Sequence, residues 1–183
     1  LSVTEGEHVL TGTERMKQRP IKILVDALRS LGADIQYVGE EGFPPLRIKG
    51  KRLTGGSIEV AGNVSSQYVS ALLMIGPTLE KGLELKLLGN VISRPYIDLT
   101  LNVMHEYGAD AEWTDLDTIT IRPKRYEERS YTIENDWTSA SYWYAILTLL
   151  NDRKSYIRFT GLKNGSRQGD SAIKYIFSLL GVK

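Results

Sequence analysis

The sequence predicts an α/β (α+β) chain assembled from repeated βαβαββ units and truncated at both ends. Three observations predict this. A short strand-like run stopped by Gly occurs three times, at residues 8–12, 85–89 and 156–161. After each comes a polar loop and a helical stretch closing on Gly32, Gly108 or Gly181, so the Gly-to-Gly spacings are 20, 19 and 20. Such a spacing kept three times marks an internal repeat. Finally, a pair of alternating strands follows each of the first two helices.

The elements justify themselves in chain order. In the first helix Ile21, Leu24, Val25 and Leu28 sit at i, i+3, i+4 and i+7, one apolar stripe. Ile97, Leu101 and Met104 repeat it in the second, and Ile173, Ile176, Phe177 and Leu180 in the third. Pro20 and Pro95 suit a first helical turn, where a missing N–H costs nothing, and Asp170 suits the N-cap of the third helix. Gly32 and Gly108 stop their helices in the left-handed conformation that Gly enters cheaply. Strands are expected at 33–38 and 46–49, around a Gly- and Pro-rich turn, and at 109–114 and 118–122. Upstream, a strand at 57–61 leads into a helix at 65–79, and a strand at 131–134 into a helix at 138–150. The unit is about 70 residues long.

On that template the first repeat lacks its opening strand and helix, and the last stops before its closing strands. A unit short of half its elements leaves an apolar face uncovered, so a fragment of a longer protein is expected. Leu1 in place of Met agrees with a start made by processing or cutting. Dimerisation or strand exchange would be one way to shield such a face.

Composition narrows the function. Hydrophobic residues make up 42% and charged residues 25%, enough for a real core. The net charge is +1, without the basic excess of a general nucleic-acid or membrane-surface binder, so neither partner is expected. There is no cysteine, hence no disulfide framework, thiolate metal site or cysteine nucleophile in these residues. The longest apolar run, 142–147, is far short of a membrane span, and a cytoplasmic setting is expected. His8 and His105 are the only histidines and lack metal-ligand spacing, so no metal is expected. P-loop, dinucleotide and nucleophile-elbow signatures are absent.

Four places gather polar groups where chemistry could occur. Ser65, Ser66 and Gln67 crowd a helix start, where unpaired N–H groups and the helix dipole favour an anion. Capping explains one serine; the second serine and the glutamine exceed it. Ser93-Arg94-Pro95-Tyr96 stands at the same place in its unit as Arg19-Pro20 and Arg167, so each repeat sets an Arg near a helix start. An arginine fork there suits phosphate or carboxylate, and a solvated charge is the plain alternative. Arg15, Lys17 and Arg19 form the densest basic cluster, opposed only by Glu14. Glu134 and Asp136 precede the last long helix as an acid/base pair or, more simply, as caps.

These motifs resemble a known family. Arg15 to Ile21, Thr54-Gly55-Gly56, Val64-Ser65-Ser66-Gln67-Tyr68 with Ser70 to Met74, and Ser93-Arg94-Pro95-Tyr96-Ile97-Asp98 are similar to the EPSP synthases, the 3-phosphoshikimate 1-carboxyvinyltransferases, in order along the chain. The resemblance implies the enolpyruvyl transferase fold, two domains of three βαβαββ units each. Residues 1–130 would then be part of the domain binding the first substrate, and 131–183 the start of a unit of the second. It implies transfer of the enolpyruvyl group of phosphoenolpyruvate to the 5-hydroxyl of shikimate 3-phosphate by addition then elimination of phosphate, in chorismate and aromatic amino acid biosynthesis, without cofactor. Matched residue by residue, Ser65, Ser66, Gln67, Ser93 and Tyr96 would hold shikimate 3-phosphate, and Arg19 and Gln67 phosphoenolpyruvate.

The sequence departs from the family pattern after Glu134, where Asn135 and Trp137 replace small residues. The family's Lys-Ser-x-x-x-Arg segment, Asn-x-Gly-Thr loop, catalytic aspartate and C-terminal lysine and arginines have no counterpart in these 183 residues. The resemblance thus implies no catalytic residue here and an inactive half site. The alternatives are an enolpyruvyl transferase acting on UDP-N-acetylglucosamine, against which Ser93-Arg94-Pro95-Tyr96 speaks, and a non-catalytic or RNA-processing relative of the same fold.

Overall fold

The computed structural model describes residues 1–91, 93–150, 152 and 154–182. The chain divides into two compact units, Leu1–Glu128 and Arg129–Lys183.

The first unit holds two sheets. Strands β1 (Gly6–Leu10), β2 (Asp34–Tyr37) and β3 (Leu46–Gly50) form an antiparallel sheet in the order β1-β3-β2. The short helix α1 (Glu14–Lys17) and then α2 (Lys22–Ser30) lie between β1 and β2. The second sheet is a whole repeat unit: β4 (Gly56–Ala61), α3 (Ser66–Ile75), β5 (Leu83–Leu88), α4 (Arg94–Glu106), β6 (Asp110–Trp113) and β7 (Thr118–Arg122). Its order is β4-β5-β7-β6, with β4 and β5 parallel and the other pairs antiparallel. Strands β1, β2 and β3 repeat the pairing of β5, β6 and β7, so the periodicity in sequence is a repeat in topology.

Alternation builds the core. Along β5 the buried residues Leu83, Leu85 and Leu87 alternate with exposed ones, as period 2 demands. Ile58 and Val60 of β4 and Ile119 and Ile121 of β7 join them. Helix α3 brings Val69, Leu72 and Leu73, and α4 brings the expected stripe of Ile97, Leu101 and Met104. The described residues bury no polar or charged residue in this core.

Three helix boundaries differ from expectation. Pro20 lies outside α2, whose N-cap is Ile21, whereas Pro95 does sit in the first turn of α4. The helix expected to run to residue 79 becomes a 3-10 turn at Gly76–Thr78, since Pro77 has no N–H to continue the ladder. Before α2, the segment expected as loop forms α1, capped by Thr13, whose Oγ1 accepts from the Met16 N–H at 3.4 Å.

The second unit departs further. It holds α5 (Trp137–Leu150), a 3-10 turn at Gly169–Ala172 and α6 (Ile173–Leu179). The strands expected at 131–134 and 156–161 do not form: neither segment is paired into a ladder. The Asn135 N–H donates to the Gly161 carbonyl at 2.9 Å and the Asn135 amide to the Thr160 carbonyl at 2.8 Å. Two such bonds do not make the continuous pairing of a sheet. Asp170 falls within the 3-10 turn and does not cap α6; its carboxylate accepts from the Thr138 hydroxyl at 2.6 Å. Phe177 packs on Tyr144, which stacks on Phe159, with ring centroids 5.5 Å apart in both pairs. Ile176 and Leu180 of the expected stripe, and Tyr142 and Leu149 of α5, are exposed.

Gly82, entering β5, adopts φ +71°, and a Cβ there would stand 2.1 Å from the Ile121 carbonyl oxygen. Gly32 has φ +94° with nothing within 4 Å. Gly32→Ala should therefore cost only the backbone term, about 1–2 kcal/mol. Gly82→Ala adds a clash with the neighbouring strand and should cost about 2–4 kcal/mol. Urea unfolding of both variants checks the contrast, and equal losses would refute the close approach at Gly82.

Candidate functional site

Two helices of the complete unit begin at one sheet edge. Because β4 and β5 are parallel and Ala61 is in register with Leu88, both strands end on the same side. Helices α3 and α4 start just beyond, at the edge where open α/β sheets gather ligands. The two loops are joined: the Gly62 N–H donates to the Leu88 carbonyl at 2.7 Å. One turn into the helices, Thr100 Oγ1 donates to the Tyr96 carbonyl at 3.0 Å, which uses its only proton. Ser70 is therefore the donor in its 2.7 Å bond to Thr100 Oγ1, and that bond pins α3 to α4.

The serine hydroxyls and the Gln67 amide at this edge are not consumed by the fold. Ser65 is the N-cap of α3, its Oγ accepting from the Gln67 N–H at 3.3 Å, which leaves its proton to donate. Ser66 opens the helix, half-buried, and among the described residues neither its hydroxyl nor the Gln67 amide has a partner. Ser93 is the N-cap of α4 yet makes no side-chain capping bond, so its hydroxyl is also available. Tyr96 is half exposed on the first turn of α4.

Arg19 lies far away in sequence but is tied to this edge. The Tyr68 hydroxyl donates to the Pro20 carbonyl, linking the first turn of α3 to the residue after Arg19. Arg15, Met16, Gln18, Arg19 and Pro20 line an open cavity of about 500 Å³. Arg19 is exposed within it. A second hollow of about 380 Å³, lined by Met74, Leu99, Val103, Met104, Tyr107 and Tyr126 among others, presents no cation to an anionic ligand.

Of the arginines at helix starts, Arg94 is committed to the fold. Its guanidinium lies 3.9 Å from the Trp113 ring centroid and donates to the Leu116 carbonyl at 2.9 Å. Trp113 in turn donates to Asp98 at 2.8 Å. Arg94 is thus a packing arginine, and only its neighbours Ser93 and Tyr96 face the edge as candidates. His105 contacts the Ala111 carbonyl through Nε2 and His8 lies on β1; no cluster with metal-ligand composition occurs among the described residues.

The carboxylates of the second unit serve structure. Asp136 caps α5, accepting from the N–H groups of Thr138 and Ser139 at 2.9 and 3.2 Å and from the Ser139 hydroxyl at 2.8 Å. The Ser139 hydroxyl and then the Thr138 N–H hold its carboxyl below the usual aspartate range. For Glu134, burial pulls upward, but bonds from the Lys163 N–H, the Ser166 hydroxyl and the Trp137 indole outweigh it and lower the pKa. Neither group is suited to donate a proton at neutral pH.

Comparison with known proteins then decides the family. Residues 1–183 match the family described as EPSP synthase (3-phosphoshikimate 1-carboxyvinyltransferase). The chain belongs to the EPSP synthase family. It is 56% identical over 182 residues to 3-phosphoshikimate 1-carboxyvinyltransferase of Bacteroides fragilis strain YCH46, covering 100% of this chain and 44% of that protein. It is 41% identical to the enzyme of the same name from Histophilus somni strain 2336, covering 98% of this chain and 41% of that one. Among solved structures, EPSP synthase from Acinetobacter baumannii matches with a TM-score of 0.66 and 25% identity, over 79% of this chain and 31% of that one. The enolpyruvyl transferase NikO from Streptomyces tendae shares the fold, with a TM-score of 0.55 and 19% identity over 76% of this chain and 32% of that one. The chain therefore spans less than half the length of the EPSP synthases it matches. It has their fold, as the resemblance implied.

Two features of the EPSP synthase edge go beyond what its motifs announce. The Tyr68–Pro20 bond joins residues 48 apart, and nothing local to either announces it. The inclusion of Arg15 in the Arg19 cavity depends on α1, which Thr13 followed by a helix-forming run could have suggested.

Tyr68→Phe should remove one hydrogen bond, costing about 1 kcal/mol. It should also shift the backbone amide resonances of residues 18–21, which unchanged resonances would contradict. The lowered pKa values of Glu134 and Asp136 give a pH prediction for the second unit. Their stabilisation is complete above the ordinary carboxylate range and is lost as pH falls below it, through the folded-state values. Fluorescence of Trp137, which is buried beside Glu134, should report loosening below pH 4.5, with Glu134→Gln showing a weaker acid dependence.

Proposed function

We propose that this chain carries the shikimate 3-phosphate side of an EPSP synthase site, together with part of its phosphoenolpyruvate side. Ser65 and Ser66 grip the phosphate, while Ser93 and Tyr96 contact the ring. Gln67 touches both substrates, and Arg19 takes the anionic end of phosphoenolpyruvate. The observation that carries this reading is the shared edge: two helix starts after strands in register, with uncommitted serine hydroxyls, tied through Tyr68 to the loop of Arg19.

The chemistry asks for such an arrangement. Two anions must be brought together before a hydroxyl of one can add to the enol phosphate carbon (C2) of the other. Hydrogen-bond donors held in place by a rigid sheet edge supply that juxtaposition without reorganising at the moment of reaction. N–H groups at the start of α3 and the hydroxyls of Ser65 and Ser66 converge on one phosphate position, while Arg19 offers a planar fork to the second substrate.

We assign residues 1–130 to part of the domain that binds the first substrate and 131–183 to the opening of a unit of the second. The working setting is the cytoplasm, with small molecules as partners and no nucleic acid, membrane or cofactor. The UDP-N-acetylglucosamine and RNA-processing readings lose ground to the family match over residues 1–183.

Titration of shikimate 3-phosphate into the chain, followed by calorimetry and amide resonances, tests this. Weak binding with shifts at residues 62–68 and 93–96 is expected, and a silent titration at millimolar ligand would defeat the proposal. Ser65→Ala and Ser66→Ala should each weaken binding about tenfold, one charge-assisted hydrogen bond apiece. These 183 residues alone should show no turnover with both substrates; rates like those of a complete enzyme would overturn the half-site reading.

A further inference from the structure

Asn164 and Gly165 form an exposed turn in the loop before α6, and theirs is the only Asn-Gly step in the chain; every other asparagine precedes Val or Asp. Three observations set this turn apart. Gly165 takes φ +77° and nothing lies within 4 Å of where a Cβ would stand, so no side chain or neighbour crowds its nitrogen. Among the described residues the Gly165 N–H donates to no acceptor. The Asn164 side-chain carbonyl oxygen accepts from the Lys174 ammonium at 3.1 Å. That ammonium also stands 4.8 Å from the Tyr175 ring centroid and 5.7 Å from that of Trp137, two faces that favour a cation at this place. An uncommitted nitrogen thus adjoins a polarised amide carbonyl.

We propose that Asn164 is a self-modification site, at which the Gly165 nitrogen displaces the Asn164 amide with help from Lys174. The nitrogen attacks Asn164 Cγ, forming a C–N bond and giving its proton to water. The amide oxygen takes up the charge, and the Lys174 ammonium stabilises it as it develops. Collapse breaks the Cγ–Nδ2 bond, and Nδ2 leaves as ammonia with a proton from water. Water then opens the cyclic imide at Cγ, giving aspartate, or at the backbone carbonyl, giving isoaspartate. The sum is amide plus water to acid plus ammonia, with nothing oxidised or reduced. The flanks of the turn make the outcome structural. The Lys163 N–H donates to one oxygen of Glu134 at 2.7 Å and the Ser166 hydroxyl to the other at 2.8 Å. Isoaspartate inserts an extra backbone carbon between these two donors, so they no longer fit one carboxylate together. Aspartate leaves the backbone length as it was. The Trp137 indole donates to the same carboxylate at 2.8 Å and so reports the difference.

The experiment incubates the chain in warm, mildly alkaline buffer and follows each asparagine by peptide mapping, with enzymatic isoaspartyl methylation to separate the two products. Asn164 should convert ahead of all other asparagines. Lys174→Met, which keeps the stem and loses the charge, should slow conversion about tenfold, the worth of one charge-assisted hydrogen bond. Lys174→Arg should keep most of the rate. In urea, wild type and Lys174→Met should convert alike, because the assistance needs the folded loop. Folded Lys174→Met converting as fast as folded wild type would overturn the role of Lys174. A folded chain that converts more slowly than the same chain in urea would overturn the site itself. The isoaspartyl product should show a displaced Trp137 indole N–H resonance relative to Asn164→Asp, and coincident resonances would refute the link to Glu134. No readout here involves substrate, so the proposed function is untouched by any of these results.

Discussion

The parallel pairing of β4 with β5 is the constraint on which the rest of the site depends. Parallel neighbours must be joined by a crossover, here α3, and the next crossover out of β5 begins at the same edge. Two helix starts are thereby brought side by side without any residue being selected for that purpose. What selection adds is the choice of Ser65, Ser66, Gln67 and Ser93 at positions where the backbone already favours negative charge. The Gly62–Leu88 and Ser70–Thr100 bonds then keep the two helices from drifting apart.

Much of this was legible in the order of residues, for reasons that differ by region. Leu83, Leu85 and Leu87 alternate, and Ile97, Leu101 and Met104 recur at helical spacing, so local periodicity alone locates β5 and α4. The Gly spacing exposes the repeat because a left-handed stop is needed at the same point of each unit. The second unit was read less well. Residues 131–134 and 156–161 have strand composition, but a strand is defined by its neighbour, and a single backbone bond between Asn135 and Gly161 does not provide one. Asp170 resembled an N-cap because acid before a helix is common, yet its carboxylate is engaged by Thr138.

The candidate site shows the same division. Helix-start serines announce themselves, because Ser at that position has a local physical meaning. Arg94 shows the limit: the same local context that made it a candidate anion ligand also serves stacking on Trp113, and only the tertiary neighbour distinguishes them. Long-range ties such as Tyr68 to Pro20 have no local signature at all, and they decide which distant loop joins the site.

Glu134 carries a last implication. Its two oxygens collect protons from the indole of Trp137 on α5, the amide of Lys163 and the hydroxyl of Ser166, three places scattered along the second unit. A sheet can fray strand by strand, each rung yielding separately, but a hub of this kind has no partial setting. Losing that one carboxylate frees the helix start and the distal loop together, so the small C-terminal unit should let go as a single cooperative event rather than peel from an end.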